Sequence, residues 1–168
     1  MVETERLRLR GWRPADAVVH RELWTERDPR VPPHRRISAD GHPSIEELEA
    51  WIRGAPREEE PRLLVVELRE SGEMIGYCGL VHNPAVPEGE PELAYELLRR
   101  HWGRGYATEA ARAIVERARA AGYPRLWASV RDWNTASRGV LAKLGFVESG
   151  RVEPDAVHGD SIFTTLAL

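Results

Sequence analysis

The chemistry that the sequence suggests first is the binding of an anion by backbone amides. Gly103 and Gly105 stand where an alternating segment, residues 92–98, gives way to helical periodicity over residues 107–121. Glycines let backbone N–H groups come close to an anion, and the first amides of a helix have no partner inside that helix. The positive end of the helix dipole adds to the attraction. The segment predicts a phosphate-binding turn, although a tight turn that binds nothing has the same pattern.

Polar side chains near this turn could add to the site. Arg100 precedes the glycines and Arg104 lies between them. Guanidinium groups can bind two phosphate oxygens at once, but both arginines are equally compatible with a solvent-facing loop. Asn134 is placed to cap the helix that follows it. Ser137 lies one turn later, so the two side chains could face the same cleft.

The first helix and two irregular segments form the possible surroundings of the site. A helix is expected to begin at Pro14 and to bury Val18 and Leu23 on one stripe. Residues 30–43 are rich in proline and charge, and we interpret them as a long surface loop that could act as a substrate lid. Residues 83–91 form a second exposed loop on the same grounds.

The remaining periodic segments complete one domain, residues 1–168. A second helix begins with a capping box formed by Ser44 and Glu47, and Gly54 and Pro56 close it. With two later helices the order is β-α-α-β-β-β-α-β-α-β-β, which predicts an α/β fold with one mixed sheet and helices on its faces. The predicted strands cover Leu7 to Leu9 and residues 63–68, 74–81, 92–98, 126–130, 146–147 and 161–168.

Composition narrows the class of protein. The 168 residues are 42% hydrophobic and 30% charged with a net charge of −3, which gives no general basic footprint for nucleic acid. No apolar run approaches the length of a membrane span, and the first residues do not resemble a secretory signal, so we expect a cytoplasmic protein. The single cysteine, Cys78, is expected in the core, and the scattered histidines imply no metal.

Four ordered motifs resemble those of the GNAT superfamily of acyl-CoA-dependent N-acetyltransferases. More narrowly, they are similar to the branch that contains the bacterial ribosomal-protein alanine N-acetyltransferases. The four motifs are Thr-Glu-Arg-Leu-Arg-Leu-Arg at 4–10, Met-Ile-Gly-Tyr-Cys-Gly-Leu at 74–80, Trp-Gly-Arg-Gly-Tyr-Ala-Thr-Glu-Ala at 102–110, and Asn-Thr-Ala-Ser at 134–137 leading to Lys-Leu-Gly-Phe at 143–146.

This resemblance implies a single-domain fold with a mostly antiparallel sheet of about six or seven strands, splayed between the fourth and fifth. It implies acetyl-CoA as co-substrate, with the pyrophosphate on the backbone amides from Gly103 to Ala107, Tyr106 included. The pantetheine arm would pair with the fourth strand around Leu97, and a backbone N–H of Leu97 or Leu98 would stabilise the developing oxyanion. Asn134 would contact the same arm.

The resemblance also implies direct transfer in a ternary complex, without an acetyl-enzyme. Related enzymes place a serine like Ser137 near the coenzyme sulfur, whereas Leu141 stands where many members carry a proton-donating tyrosine. The departing thiolate could therefore receive a proton from Ser137 or from a water molecule, or it could leave without a proton donor. Glu92, at the start of the fourth strand, and Glu153, in the loop beyond the sixth, are the candidate bases, acting through water.

The acceptor is predicted to be a primary amine of a protein N-terminus or of a small molecule. The branch resemblance alone suggests the first. The alternative function is a non-catalytic acyl-CoA binding or sensing domain, which the missing tyrosine keeps open. Neither nucleic acid nor a membrane is an expected partner, and both a monomer and a homodimer are compatible with the sequence.

Overall fold

The computed structural model describes residues 1–55 and 61–168, and one mixed sheet runs through them in the order β1-β2-β3-β4-β5-β6-β8-β7. The four helices of these residues are α1 (Ala17–Glu26), α2 (Ile45–Gly54), α3 (Tyr106–Ala120) and α4 (Thr135–Leu144). The eight strands are β1 (Val2–Glu3), β2 (Leu7–Arg10), β3 (Leu63–Leu68), β4 (Met74–Val81), β5 (Glu92–Leu97), β6 (Arg125–Arg131), β7 (Val147–Glu153) and β8 (Ser161–Ala167).

The sheet opens between β5 and β6, as the sequence predicted for its fourth and fifth strands. The two strands are parallel and share the single pairing Glu92–Trp127, whereas β4 and β8 pair with them along most of their length. Beyond Glu92 the facing edges of β5 and β6 therefore lack a strand partner. The sequence did not predict β1, a short strand that pairs with β2.

Helices α3 and α4 cover one face of the sheet. The stripe of α3 that packs inward consists of small and branched residues, Ala110, Ala111, Ile114, Val115 and Ala118. Its small side chains bring the helix axis close to the strands. Leu93 and Leu97 of β5 belong to the same apolar cluster, so alternate residues of β5 point toward α3 and α4.

Helices α1 and α2 lie against the other face. The inward side of α1 carries Ala17, His20 and Leu23, while Val18, which the periodicity assigned to the buried stripe, is 56% exposed. One 3-10 turn of three residues, Pro14–Asp16, precedes α1, so the helical phase starts at Ala17 and not at Pro14. This shift rotates the buried stripe and makes the prediction for Val18 wrong.

The start of α2 confirms the predicted capping box. The Ser44 hydroxyl accepts from the Glu47 amide at 3.3 Å, and the Glu47 carboxylate accepts from the Ser44 amide at 2.6 Å. Pro56, which was expected to help close this helix, lies outside the described residues. No helix in the described ranges combines the length and apolar character that a membrane span needs.

Candidate functional site

The glycine turn leads directly into α3. Gly103 and Gly105 both have positive φ angles, 73° and 80°, and Gly105 occupies the N-cap position without a side-chain cap. The first hydrogen bond of the helix joins the Glu109 amide to the Gly105 carbonyl at 3.0 Å. The amides of the three preceding residues, Tyr106 to Thr108, therefore have no helical acceptor. This arrangement suits an anion.

The N-terminal segment is fastened to the same helix end by Glu109. Its carboxylate accepts from the Thr4 hydroxyl at 2.6 Å and from the Arg6 backbone and guanidinium at 2.9 and 2.7 Å. The Arg6 guanidinium also donates to the carbonyl oxygen of Arg104 at 3.0 Å. Burial opposes ionisation of Glu109, but these hydrogen bonds outweigh it, so its pKa lies below the ordinary value.

Two cationic residues beside the turn, Arg112 and Lys143, were not predicted from the sequence. Arg112 and Lys143 line a cavity of about 400 Å³ together with Arg6, Gly105, Thr108 and two acidic residues, Glu5 and Glu109. They come from different helices, which is why their spacing in the sequence gave no signal. The predicted Arg104 is exposed at this turn.

The predicted Arg100 is engaged elsewhere. Its guanidinium forms ion pairs with Glu22 at 2.6 Å and with Glu73 at 3.1 Å. Because these contacts already use the guanidinium, its side chain fastens the turn to α1 and to the β3–β4 connection. Trp102, next to this turn, is 53% exposed.

The open edge of β5 ends at Leu97. The Leu98 amide donates to the Ile75 carbonyl at 2.9 Å, so this amide is occupied by β4. Backbone groups alternate between the two sides of an antiparallel strand, and those of Leu97 consequently point toward the gap. The Leu97 carbonyl accepts from the Trp102 indole at 2.7 Å, which leaves the Leu97 N–H as the candidate donor.

Across the gap, the start of α4 presents the predicted polar pair. The Asn134 side-chain oxygen accepts from the Ser137 amide at 3.1 Å, so Asn134 caps the helix as expected. The Ser137 hydroxyl lies 2.9 Å from the hydroxyl of Tyr95, which comes from β5. Tyr95 alternates with Leu93 and Leu97, which places it on the face of β5 toward α3 and α4. Leu141 is buried.

Glu92 is buried at the point where the two strands separate. Its carboxylate accepts from the Ser129 amide at 2.8 Å, from the Ser129 hydroxyl and from the Asn83 side-chain amide at 2.5 Å. Three donors from β6 and from the β4–β5 loop therefore surround the carboxylate. These contacts hold β5 and β6 together at the start of the gap.

Glu153 is the last residue of β7, and not a loop residue as the sequence suggested. The strand extends further than predicted because residues 147–153 pair with β8 around an irregularity between Glu148 and Val152. The Glu153 carboxylate is exposed and forms an ion pair with Arg151 at 2.5 Å. Arg151 also donates to the Ala85 carbonyl, which brings the β4–β5 loop to this edge.

On the face of β5 that points away from α3 and α4, Glu96 forms an ion pair with Arg27. Glu96 accepts two hydrogen bonds from Arg27, at 2.8 and 2.6 Å, and one from the Tyr77 hydroxyl at 2.7 Å. Nearby, the Arg30 guanidinium lies 4.1 Å from the ring centre of Trp133, so the segment after α1 reaches the β6–α4 connection. This contact is consistent with the predicted lid.

The described residues offer neither a reactive cysteine nor a cluster of metal ligands. Cys78 is fully buried, as predicted, and burial raises the pKa of its thiol, which opposes a nucleophilic role. In the described ranges no cluster of three or more histidine, cysteine or acidic side chains could hold a metal ion.

The chain is similar to known proteins in both sequence and fold. The family model described as Acetyltransferase (GNAT) domain matches residues 6–147. The uncharacterized N-acetyltransferase p20 of Bacillus licheniformis is 31% identical over 150 residues, 88% of this chain and 82% of the relative.

Two solved structures from Vibrio cholerae share the fold. A mutant of the spermidine N-acetyltransferase SpeG has a TM-score of 0.76 at 19% identity, covering 98% of this chain and 95% of that one. A protein named provisionally as a ribosomal-protein-serine acetyltransferase has a TM-score of 0.75 at 18% identity, covering 99% and 97%. The family match, the sequence relative and the shared fold lead to one conclusion: the chain belongs to the GNAT family of acetyltransferases.

Proposed function

We propose that the protein transfers an acetyl group from acetyl-CoA to a primary amine by direct attack in a ternary complex. The observation that carries the proposal is the uncapped start of α3, whose open amides adjoin the gap between β5 and β6. Family membership supports the use of acetyl-CoA. A long thioester ligand needs both features together: an anion site for its phosphates and a strand edge for its amide-bearing arm.

In this proposal the backbone from Gly103 to Ala107 binds the pyrophosphate. Gly105 has a φ of 80°, a backbone conformation that strains any residue with a side chain, so the turn requires glycine there. The cavity lined by Arg112 and Lys143 would take the ribose phosphate, because its three cations outnumber its two carboxylates and lie beside a helix N-terminus.

The pantetheine arm would lie along the open edge of β5. The Leu97 N–H would then bond to the arm or stabilise the oxyanion, while the Asn134 amide donors would contact the arm from α4. An N–H fixed by the strand before reaction needs no reorganisation when charge develops, which is the basis of oxyanion stabilisation. Both elements are held at the gap independently of ligand, by β4 and by the cap of α4.

The amine must be neutral to attack. An α-amine titrates near pH 8, so a fraction is already neutral at pH 7, whereas a lysine-like amine needs a base. Glu92 and Glu153 remain the proposed bases, each acting through a water molecule. Glu92 is buried beside the gap and holds three donors, whereas Glu153 is exposed and paired with Arg151.

The acceptor is proposed to be either a protein N-terminus or a small amine. The spermidine enzyme and the protein named for a ribosomal substrate resemble this chain equally well in fold, so the fold does not choose between these acceptors. A non-catalytic acyl-CoA sensor is the alternative that Leu141 favours, because leucine cannot donate a proton.

The test is release of free thiol from acetyl-CoA in the presence of N-terminal peptides, polyamines and aminoglycosides. Turnover of one peptide terminus would identify a protein modifier, and turnover of a small amine would identify a metabolite enzyme. Saturable coenzyme binding without turnover across the panel would favour the sensor. Absence of coenzyme binding would contradict the proposed function altogether.

A further inference from the structure

The hydroxyl groups of Tyr95 on β5 and Ser137 on α4 lie within hydrogen-bond distance of each other. The Tyr95 hydroxyl oxygen lies 2.9 Å from the Ser137 hydroxyl oxygen and 3.1 Å from the Ser137 carbonyl oxygen, and its one proton can be donated to either. The two residues are 42 positions apart in the chain. They meet beside the gap between β5 and β6, which the coenzyme arm is proposed to enter.

Contacts with the rest of the fold fix the positions of both residues. Tyr95 follows the alternation of β5, so its ring packs against the apolar cluster that contains Leu93 and Leu97. Ser137 is held by its own amide, which donates to Asn134. A serine hydroxyl otherwise rotates freely among three staggered positions. The Tyr95 hydroxyl is the side-chain contact that selects one of them.

Helix α4 offers no second hydroxyl one turn further on. Leu141 follows Ser137 by four positions, on the same side of the helix, and is buried in the apolar cluster. The phenol next to Ser137 therefore comes from the strand, not from the helix. Sequence motifs on α4 could not reveal it.

We propose that Tyr95 is a positioning residue, which orients the Ser137 hydroxyl so that it donates a hydrogen bond to the sulfur of the departing thiolate. The inference rests on the proposed acetyl transfer. Tyr95 itself is not assigned a contact with the coenzyme. When the one phenol proton points to the Ser137 hydroxyl oxygen, and not to the Ser137 carbonyl, the serine hydrogen is free for the sulfur.

The step balances without a further reactant. The amine nitrogen forms a bond to the acetyl carbon, the carbon–sulfur bond breaks, and its electron pair stays on sulfur. The proton that the nitrogen loses goes to water, and the thiolate takes a proton from water afterwards. Ser137 and Tyr95 keep their protons throughout. Burial raises the pKa of Tyr95 to about 12, against a smaller opposing effect of the Ser137 hydrogen bond, so its phenol remains a donor at neutral pH.

The first measurement is the kinetics of Tyr95→Phe, which removes one oxygen atom and keeps the ring. We expect kcat to fall about tenfold, less than the hundredfold or more that loss of a directly acting acid or base costs. The KM for acetyl-CoA should change less than about twofold, because the phosphate and strand contacts remain. Tyr123→Phe is the matched control, since Tyr123 packs against the same cluster from beyond the end of α3.

A double-mutant cycle separates positioning from simple loss of packing. Ser137→Ala should lower kcat at least as much as Tyr95→Phe, and adding Tyr95→Phe to Ser137→Ala should cause no further loss. Independent losses that multiply in the double variant would overturn the proposal. So would an equal loss of kcat and coenzyme affinity in Tyr95→Phe.

A third measurement does not depend on the acceptor. The thiol of enzyme-bound coenzyme A is alkylated with iodoacetamide across a pH range, with enzyme in excess. Cys78 does not compete because its side chain is fully buried. A hydrogen bond from Ser137 lowers the thiol pKa, so the midpoint should rise by about one pH unit in Tyr95→Phe and in Ser137→Ala, matching a tenfold effect.

The outcomes distinguish this inference from the proposed function. An unchanged alkylation midpoint in both variants would overturn the role of Tyr95 even if the parent enzyme acetylates an amine. A raised midpoint in both variants, with no turnover of any amine by the parent, would support the hydroxyl pair and contradict acetyl transfer. Equal melting temperatures of parent and Tyr95→Phe would show that a folding defect does not explain the shift.

Discussion

Arg6 and Glu109 lie 103 positions apart in the chain, and their side chains meet at 2.7 Å beside the first turn of α3. The same guanidinium donates to the Arg104 carbonyl inside the glycine turn. Glu109 thus connects the segment before β2 to the turn that is proposed to bind the pyrophosphate. Glu109 also stands in the first turn of α3, where its charge interacts favourably with the helix dipole.

Replacing Glu109 should therefore weaken coenzyme binding as well as the fold. Glu109→Gln removes the charge that holds Arg6, so we expect the Kd for coenzyme A to rise about tenfold, or about 1.4 kcal/mol. The loss of charged hydrogen bonds should lower the free energy of unfolding by about 1–3 kcal/mol. Isothermal titration calorimetry and urea unfolding measure the two effects. Glu116→Gln is the control, because Glu116 lies on the same helix and forms one exposed pair with Arg119.

A negative charge in the glycine turn should abolish coenzyme binding. Gly105→Asp places a carboxylate where the open amides are proposed to face the pyrophosphate. It also strains a backbone with φ of 80°. Gly122→Asp is matched for that strain, since Gly122 has φ of 82° just beyond the other end of α3. Both variants should be destabilised by about 1–2 kcal/mol, but only Gly105→Asp should lose binding. Equal affinities for coenzyme A in the two variants would contradict the anion site.

The two roles of Asn134 can be separated by substitution. Asn134→Asp keeps an oxygen to cap the Ser137 amide but removes the amide donors that are proposed to reach the pantetheine arm. It should retain the thermal stability of the parent and bind coenzyme A less tightly. Asn134→Ala removes the cap as well and should cost about 1 kcal/mol of stability. If Asn134→Asp binds coenzyme A like the parent, the residue is a helix cap alone.

The cations beside α3 predict selectivity for the ribose phosphate. Lys143→Ala and Arg112→Ala should each weaken binding of coenzyme A about fivefold, or about 1 kcal/mol. Binding of dephospho-coenzyme A should change little, because it lacks the group that these cations are proposed to contact. Arg119→Ala, at the far end of α3, should affect neither ligand. A parallel loss for both ligands would place the cations at the pyrophosphate instead.

The sequence predicted the elements around the site better than the contacts between them. Residues 92–98, the glycine turn and the Asn134 cap depend on local rules, such as alternation, positive φ and side-chain capping, and the structure confirms these elements. Residues that meet only through the fold gave no local signal. Tyr95 reaches Ser137, and Lys143 reaches the start of α3, because separate elements pack together.

Two further differences have physical causes that no short window of sequence contains. Strand β1 exists because β2 offers it a pairing edge, and two residues are too few to show alternation. Arg100 resembles a phosphate ligand by its position in the motif, but acidic side chains from α1 and from the turn after β3 pair with it. Such ion pairs depend on how α1 docks, which local periodicity does not determine.

His20 makes the stability of the fold sensitive to mild acid. It is buried on α1 among aromatic rings, and its Nε2 accepts from the Trp24 indole at 3.3 Å. Burial, assisted by the charge of Arg27, lowers its pKa from 6.5 to about 4. Between these values the unfolded chain binds more protons than the folded one, so the free energy of unfolding falls as the pH falls. From pH 6.5 to 5 this residue should cost about 2 kcal/mol.

His20→Gln should remove that dependence, because glutamine does not titrate and its side-chain oxygen can still accept from Trp24. Urea unfolding at several pH values between 7 and 5 measures the slope, in a range where most carboxylates stay ionised in both states. His34→Gln is the matched control, since His34 is exposed on the segment after α1. A parent and a His20→Gln variant with the same slope would mean that the buried imidazole is protonated in the fold, and the aromatic cluster would then have to accommodate a cation.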